Sequence, residues 1–190
     1  MATAKSLTQA EIEKVISYIS TQANAQRNRV MFCVTMLAGL RVSEVAGLTI
    51  GDVRNADGTV KTEIYLSADR VKHGHARTIF INQRLQAEIA EYISERTWLF
   101  EAQPLFCTNR GLRYAFSANT LTQYFHYLYK RAGVAGASSH SGRKTFITSL
   151  ASQGISVFVL ASLAGHKSIS TTQRYVSVND DMKRRAVELV

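Results

Sequence analysis

Apolar residues recur at helical spacing near the start of the chain. Ile12, Val15, Ile16 and Ile19 share one face, and Thr8 with Glu11 forms a capping-box pattern ahead of them. This predicts an opening helix whose stripe docks on a core. A second helix is expected from about Arg27 to Leu37, stopped by Gly39. Ser43 is then placed to cap a short helix ending near Gly47, with Arg41 in the tight connection between the two. The pattern then changes. Asn55-Ala56-Asp57-Gly58 reads as a turn, and Glu63 to Leu66 and Arg77 to Ile81 are strand-like runs flanking His73-Gly74. They predict a small antiparallel sheet carrying Lys72. Helical spacing returns where Asn82 precedes Leu85, Ile89 and Ile93, and where Ser117 or Asn119 precedes Leu121, Phe125 and Leu128. The last third reads as three short helices, Ser141 to Ser152, Ser156 to Leu163 and Ser170 to Tyr175, punctuated by Gly154 and Gly165. A helical tail, Asp180 to Val190, follows. The fold class is mostly α with a small antiparallel β-sheet, an α+β arrangement.

Composition narrows this picture. The 190 residues suit one domain, expected over 1–178, with 179–190 as its tail. No repeat or Pro-rich linker interrupts the chain, whose one proline is Pro104, and no second folded domain, in particular no separate N-terminal one, is expected. Cys33 and Cys107 sit in apolar stretches without zinc or redox spacing, and read as buried thiols in a reducing cytosol. Met1 to Lys5 lack a signal-peptide core and Val30 to Leu40 is too short to span a bilayer, so secretion and membrane insertion are not expected and the cytoplasm is. Lys and Arg number 23 against 14 Asp and Glu, a formal +9, which favours DNA, RNA or an anionic membrane face and by itself chooses none.

Candidate chemistry lies in six residues: Arg41, Lys72, His140, Arg143, His166 and Tyr175. Singly, each has an ordinary reading as a solvated charge, a helix cap or a surface hairpin lysine. His140-Ser141-Gly142-Arg143 places an imidazole and a guanidinium three residues apart at a helix start, where unpaired N–H groups also favour an anion. The segment Leu163 to Tyr175 ends an apolar helix at glycine, then runs through a histidine and a polar turn to a tyrosine nine positions after that histidine.

Gly165-His166, the Ser-x-Ser-Thr-Thr that follows and Tyr175 together resemble the nucleophile motif of tyrosine recombinases, the lambda-integrase and Xer family. Leu37-Ala38-Gly39-Leu40-Arg41-Val42-Ser43-Glu44-Val45-Ala46-Gly47-Leu48 resembles the family's first-arginine box. His140 to Phe146 is similar to its HxxR box, with Gly142 in place of a commoner leucine and Lys144 in place of a commoner histidine. Lys72 to Arg77 resembles the hairpin carrying the family's mobile lysine, with Lys61 a nearby competitor for that role. His73 and His75 stand at strand spacing without cysteines or an acidic cluster, so surface or DNA-backbone contact is expected of them and no metal site is. The resemblance covers about residues 7 to 178 and is nearest in design to the compact fimbrial-switch invertases.

The resemblance implies a tyrosine recombinase catalytic-domain fold and a site-specific recombinase acting on double-stranded DNA, without metal, ATP or other cofactor. Tyr175 is the implied nucleophile, Arg41 and Arg143 the binders of the phosphate's non-bridging oxygens, Lys72 the acid for the leaving oxygen and His166 a phosphate hydrogen-bond donor, while proton acceptance by His140, or strong local positive charge, assists the attack. Glu44 is expected to orient an arginine or histidine, or to serve as an ordinary helix-N-terminal glutamate. A homo-tetramer on two recombination sites, with accessory DNA-bending proteins, is the implied assembly. Packing of the apolar side of the tail, with Met182, Ala186, Val187, Leu189 and Val190, is expected either on a neighbouring protomer or on its own. A catalytically silent DNA-binding regulator and a topoisomerase using related tyrosine chemistry are the alternatives.

Overall fold

The computed structural model describes residues 4–71, 76–96, 100–176, 180–188 and 190. Ten helices and a two-stranded antiparallel sheet are found among the described residues. Helix α1 (Gln9–Ser20) starts at Thr8, whose side chain accepts from Glu11 N while Glu11 reaches back to Thr8 N, and it buries Val15 and Ile19. Helix α2 (Ala25–Leu37) is the central element, with Val30, Met31, Phe32, Cys33, Val34 and Thr35 all buried. It starts two residues earlier than expected, after Asn24 in the left-handed region (φ 59°), a start that no side-chain cap announces. Being buried all round, α2 carries little one-sided pattern of its own.

Helix α3 (Val42–Ala46) corrects one expectation. Its N-cap is Arg41, and Ser43 lies inside the helix, because Glu44 three residues on binds the Arg41 N–H at 2.7 Å. Helix α4 (Ile50–Val53), absent from the expected elements, opens in a similar way: Asp52 accepts from Thr49 N at 2.7 Å. Strands β1 (Glu63–Leu66) and β2 (Arg77–Phe80) pair with Ile64 opposite Ile79, both buried, while Tyr65 and Phe80 face outwards. A 3-10 turn, Ala68–Arg70, follows β1.

Helix α5 (Gln83–Ser94) is capped by Asn82 and α6 (Ala118–Arg131) by Ser117, which resolves the choice between Ser117 and Asn119. Both bury the expected residues: Leu85, Ile89 and Ile93 in α5, and Leu121, Phe125 and Leu128 in α6. Helices α7 (Ser141–Ser152), α8 (Val157–Ala164), α9 (Ile169–Gln173) and α10 (Asp180–Val187) complete the chain. Gly165 ends α8 at φ 58°. Helix α9 stops two residues before Tyr175, which sits in a turn where its N–H bonds Thr172 O at 2.9 Å. On α10, Ala186 and Val187 remain exposed.

One apolar core joins α1, α2, α5 and α6 to the sheet, with the Tyr129 ring in contact with those of Phe32 and Phe125. Cys33 and Cys107 are both buried and free, and burial pushes the Cys33 thiol up to about 11. Among the described residues no helix is long and apolar enough to cross a membrane.

Candidate active site

The site forms where the C-terminal end of α2, the start of α7 and the end of α8 converge. Gly39, at φ 65°, makes the close approach possible: a Cβ there would stand 2.5 Å from Phe146 Cδ1 on α7. The carbonyl that the Gly39 turn leaves free of helix bonding accepts from Arg143 Nη1 at 2.5 Å. Arg143 Nη2 donates to Ala164 O, at the end of α8. One guanidinium thus ties the first-arginine segment to the end of the helix that precedes His166. Arg143 is 6% exposed, and burial, with the positive charges of Arg41 and Arg77, pushes its pKa down to about 9. It stays charged at neutral pH.

Arg41 lies beside it. Its Nη1 donates to Glu44 Oε1 at 2.9 Å and its Nη2 to Gly165 O at 3.2 Å. Both arginines are therefore held against the same short turn, Ala164-Gly165, from two different segments.

Glu44, 3% exposed, has both oxygens doubly engaged. Oε1 accepts from Arg41 Nη1 and from Arg77 Nη1 (2.6 Å), and Oε2 from Arg41 N and from Arg77 Nη2 (2.7 Å). Burial alone would raise its pKa; the Arg77 hydrogen bonds and charge, reinforced by Arg41, hold it at about 2. Glu44 thus caps the start of α3 and at the same time hydrogen-bonds the guanidinium groups of Arg41 and Arg77. Arg77 was not among the expected site residues. Its signal was its place in the strand after Lys72, but spacing alone did not mark it as facing Glu44.

Two guanidinium groups on one carboxylate, with the Arg143 charge close enough to interact with all three, leave positive charge uncompensated, and an anion is its natural complement. The same field acts on His166, whose pKa is lowered to about 4 by burial and by Arg143, Arg41 and Arg77. The imidazole is neutral at physiological pH. Its Nδ1 lies 2.8 Å from the hydroxyl of Thr172, which is fully buried on α9. If the hydroxyl donates to Nδ1, Nε2 carries the proton and is free to donate to an oxyanion.

The half-buried Tyr175 ring lies parallel to His166, with centroids 6.1 Å apart and planes at 24°. Lys144 Nζ lies 6.0 Å from the Tyr175 ring centroid, so the residue standing where the family commonly has histidine places a cation beside the tyrosine. His140 occupies the N-cap position of α7 without a capping side-chain bond, and is exposed. The structure thus brings Arg41, Arg143, His166 and Tyr175 together, with Glu44 behind them and His140 one turn from Arg143. Lys72, His73 and His75 lie outside the described residues. The competitor Lys61 donates to Gly51 O at 2.6 Å.

The model of the phage integrase family matches residues 5–182. The chain belongs to this family. It is 32% identical over 185 residues to the tyrosine recombinase XerA of Pyrococcus furiosus, an alignment that covers 97% of this chain and 61% of that protein. It is 30% identical over 180 residues to the tyrosine recombinase XerD of Pseudomonas putida, covering 92% of this chain and 57% of that one. The chain therefore spans about three fifths of the length of these curated relatives. Among solved structures, the Tn1549 transposon integrase in complex with a circular intermediate DNA superposes with a TM-score of 0.80 at 23% identity, over 100% of this chain and 67% of that one. The XerA recombinase crystal structure gives 0.75 at 24%, over 100% and 66%. The catalytic domain of bacteriophage HP1 integrase gives 0.65 at 20%, over 91% and 87%. The fold of this phage integrase family member is accordingly that of a tyrosine recombinase catalytic domain, mostly helical with one small sheet.

Proposed function

We propose that this chain cuts and rejoins double-stranded DNA as a site-specific recombinase, with Tyr175 as the nucleophile. The observation that carries the reading is the placing of the Tyr175 ring on His166, beside two arginines both fastened to the Ala164-Gly165 turn. Tyr175 Oη attacks the scissile phosphorus, forming a phosphotyrosyl P–O bond as the bond to the 5′ oxygen breaks. The phenolic proton passes to His140, and Lys72 supplies a proton to the leaving 5′ oxygen. Attack by a 5′ hydroxyl on the phosphotyrosine reverses the sequence and releases the enzyme. The energy of the broken ester is retained in the new one, so rejoining requires no nucleotide cofactor.

Arg41 and Arg143 bind the non-bridging oxygens with permanently charged planar donors, supplying the charge relief that a metal ion supplies elsewhere. Neutral His166 adds a hydrogen bond without needing to be protonated. Glu44 takes no proton in this scheme, since its pKa of about 2 keeps it ionised. The net charge of +9 supports DNA as the partner, as do the DNA-bound structures of the Tn1549 integrase. A tetramer on two sites fits the exposed Val187 of α10 and the exposed Phe158 and Val159 of α8, apolar surfaces that one protomer leaves uncovered.

The test is a nicked suicide substrate drawn from the DNA flanking the gene, incubated with wild-type and Tyr175→Phe protein in EDTA. A covalent adduct on a denaturing gel, formed only when Tyr175 is present, is the expected result. Specific binding without any adduct would turn the reading to a silent regulator. Supercoil release without strand transfer to a new partner would turn it to a topoisomerase.

A further inference from the structure

We infer that Arg77 is a positioning residue for strand cleavage, acting through Glu44 to fix the arginine pair on the Ala164-Gly165 turn. The inference rests on the recombinase reading above and adds a residue to it.

Arg77 lies on β2, outside the three segments that bring the arginines, the histidine and the tyrosine together. It is nevertheless the stronger partner of Glu44, with both terminal nitrogens on the carboxylate at 2.6 and 2.7 Å against a single terminal nitrogen from Arg41. The two contacts restrict the carboxylate plane, and the same oxygens receive Arg41 N and Arg41 Nη1. The direction in which Arg41 extends toward Gly165 is thus set by a carboxylate that Arg77 holds.

A second contact reaches the turn directly. A Cβ at Gly165 would stand 2.7 Å from Arg77 Cδ and 3.0 Å from its Nε, so the stem of Arg77 packs on the residue preceding His166. Gly165 at φ 58° satisfies both demands, a left-handed cap and room for this stem. Arg77 therefore touches the orienting carboxylate of the first arginine and the backbone that carries the histidine.

A planar fork is required to hold both carboxylate oxygens at once, a geometry that arginine supplies and lysine does not.

The test compares single-turnover adduct formation at saturating DNA with DNA affinity for wild type, Arg77→Gln, Arg77→Lys, Glu44→Gln and the Arg77→Gln/Glu44→Gln double variant. Expected are a fall of about tenfold or more in the saturated rate for Arg77→Gln with affinity within about threefold of wild type, and an intermediate rate for Arg77→Lys. The Arg77 substitution should add little in the Glu44→Gln background. A merely structural role would lower the amount of active protein and its melting point without changing the rate of the active fraction. A saturated rate within twofold of wild type overturns the inference, as does a loss that adds in full to that of Glu44→Gln. If Arg77→Gln shows no cooperative melt, Arg77→Lys is judged on the same two criteria. Wild-type protein that forms no Tyr175-dependent adduct overturns the recombinase reading itself. A normal wild-type adduct with an unaffected Arg77 variant overturns only the role of Arg77.

Discussion

Gly142 on α7 lies so close to Thr35 on α2 that a Cβ at position 142 would overlap Thr35 Oγ1 and stand 2.9 Å from Thr35 Cβ. Thr35 is buried and its hydroxyl donates to Phe32 O at 2.8 Å, so it has no open space to move into. The glycine found where the family commonly carries leucine is therefore matched to a helix contact of this chain. Gly142→Ala should destabilise the fold by about 1–3 kcal/mol through overpacking, and Thr35→Ala should recover part of that loss in the double variant. Denaturant melts of the four proteins measure the coupling; strict additivity would contradict it.

Arg41 and Arg143 should fail differently when removed. Each loss is expected to slow adduct formation by roughly two to three orders of magnitude. Arg41 is partly exposed, whereas Arg143 is buried with its donors on Gly39 O and Ala164 O. Arg143→Ala should therefore also lower the melting temperature, and Arg41→Ala should change it little. Differential scanning calorimetry beside the adduct assay separates the two effects.

Thr172 is expected to select the His166 tautomer. With its hydroxyl at 2.8 Å from Nδ1, the tautomer protonated at Nε2 is available for the phosphate. Thr172→Val keeps the shape but removes the hydroxyl, and should slow cleavage by about tenfold, the upper end of what one net hydrogen bond of about 0.5–1.5 kcal/mol is worth. Thr172→Ser should keep most of the rate. Equal rates for the valine and serine variants would remove this role.

Stability in the absence of DNA should fall on mild acidification. His166 has a folded-state pKa of about 4, below its ordinary 6.5, so the unfolded chain takes up a proton first as pH falls. The associated stability is complete above about pH 6.5 and is lost progressively toward pH 4. Because the ring is only half-buried, solvent screening reduces the effect to an order of ~1–2 kcal/mol. Glu44, held at about 2, contributes its own loss only below its ordinary 4.5. Thermal melts at pH 7 and pH 5 should therefore differ more for wild type than for His166→Gln.

Much of the fold is legible in the sequence. The Thr8–Glu11 capping box, the Asn82 cap and the apolar stripes of α1, α5 and α6 are local signals, and local hydrogen bonding with one-sided burial was enough to realise them. Even α4 carried a readable sign in Thr49 and Asp52, three residues apart, although four residues are too few for a periodic pattern. The start of α2 was less legible, because a helix buried all round has no polar face to define it, and Asn24 enters it from the left-handed region.

Within the site, sequence determined which residue types were present and in what order: two arginines, the HxxR spacing, and a tyrosine nine positions after His166. Only the tertiary structure decided that Arg41 and Arg143 reach the same Ala164-Gly165 turn, that Glu44 is shared with Arg77, and that Thr35 requires glycine at 142. Those relations join residues up to about 120 positions apart. They depend on the depth of helix packing and on burial, which pushes Arg143 and His166 down and makes each charge depend on its neighbours. Neither depth nor burial is a property of any short stretch of chain, and so the chemistry's ingredients were written locally while their electrostatic coupling was set by the fold.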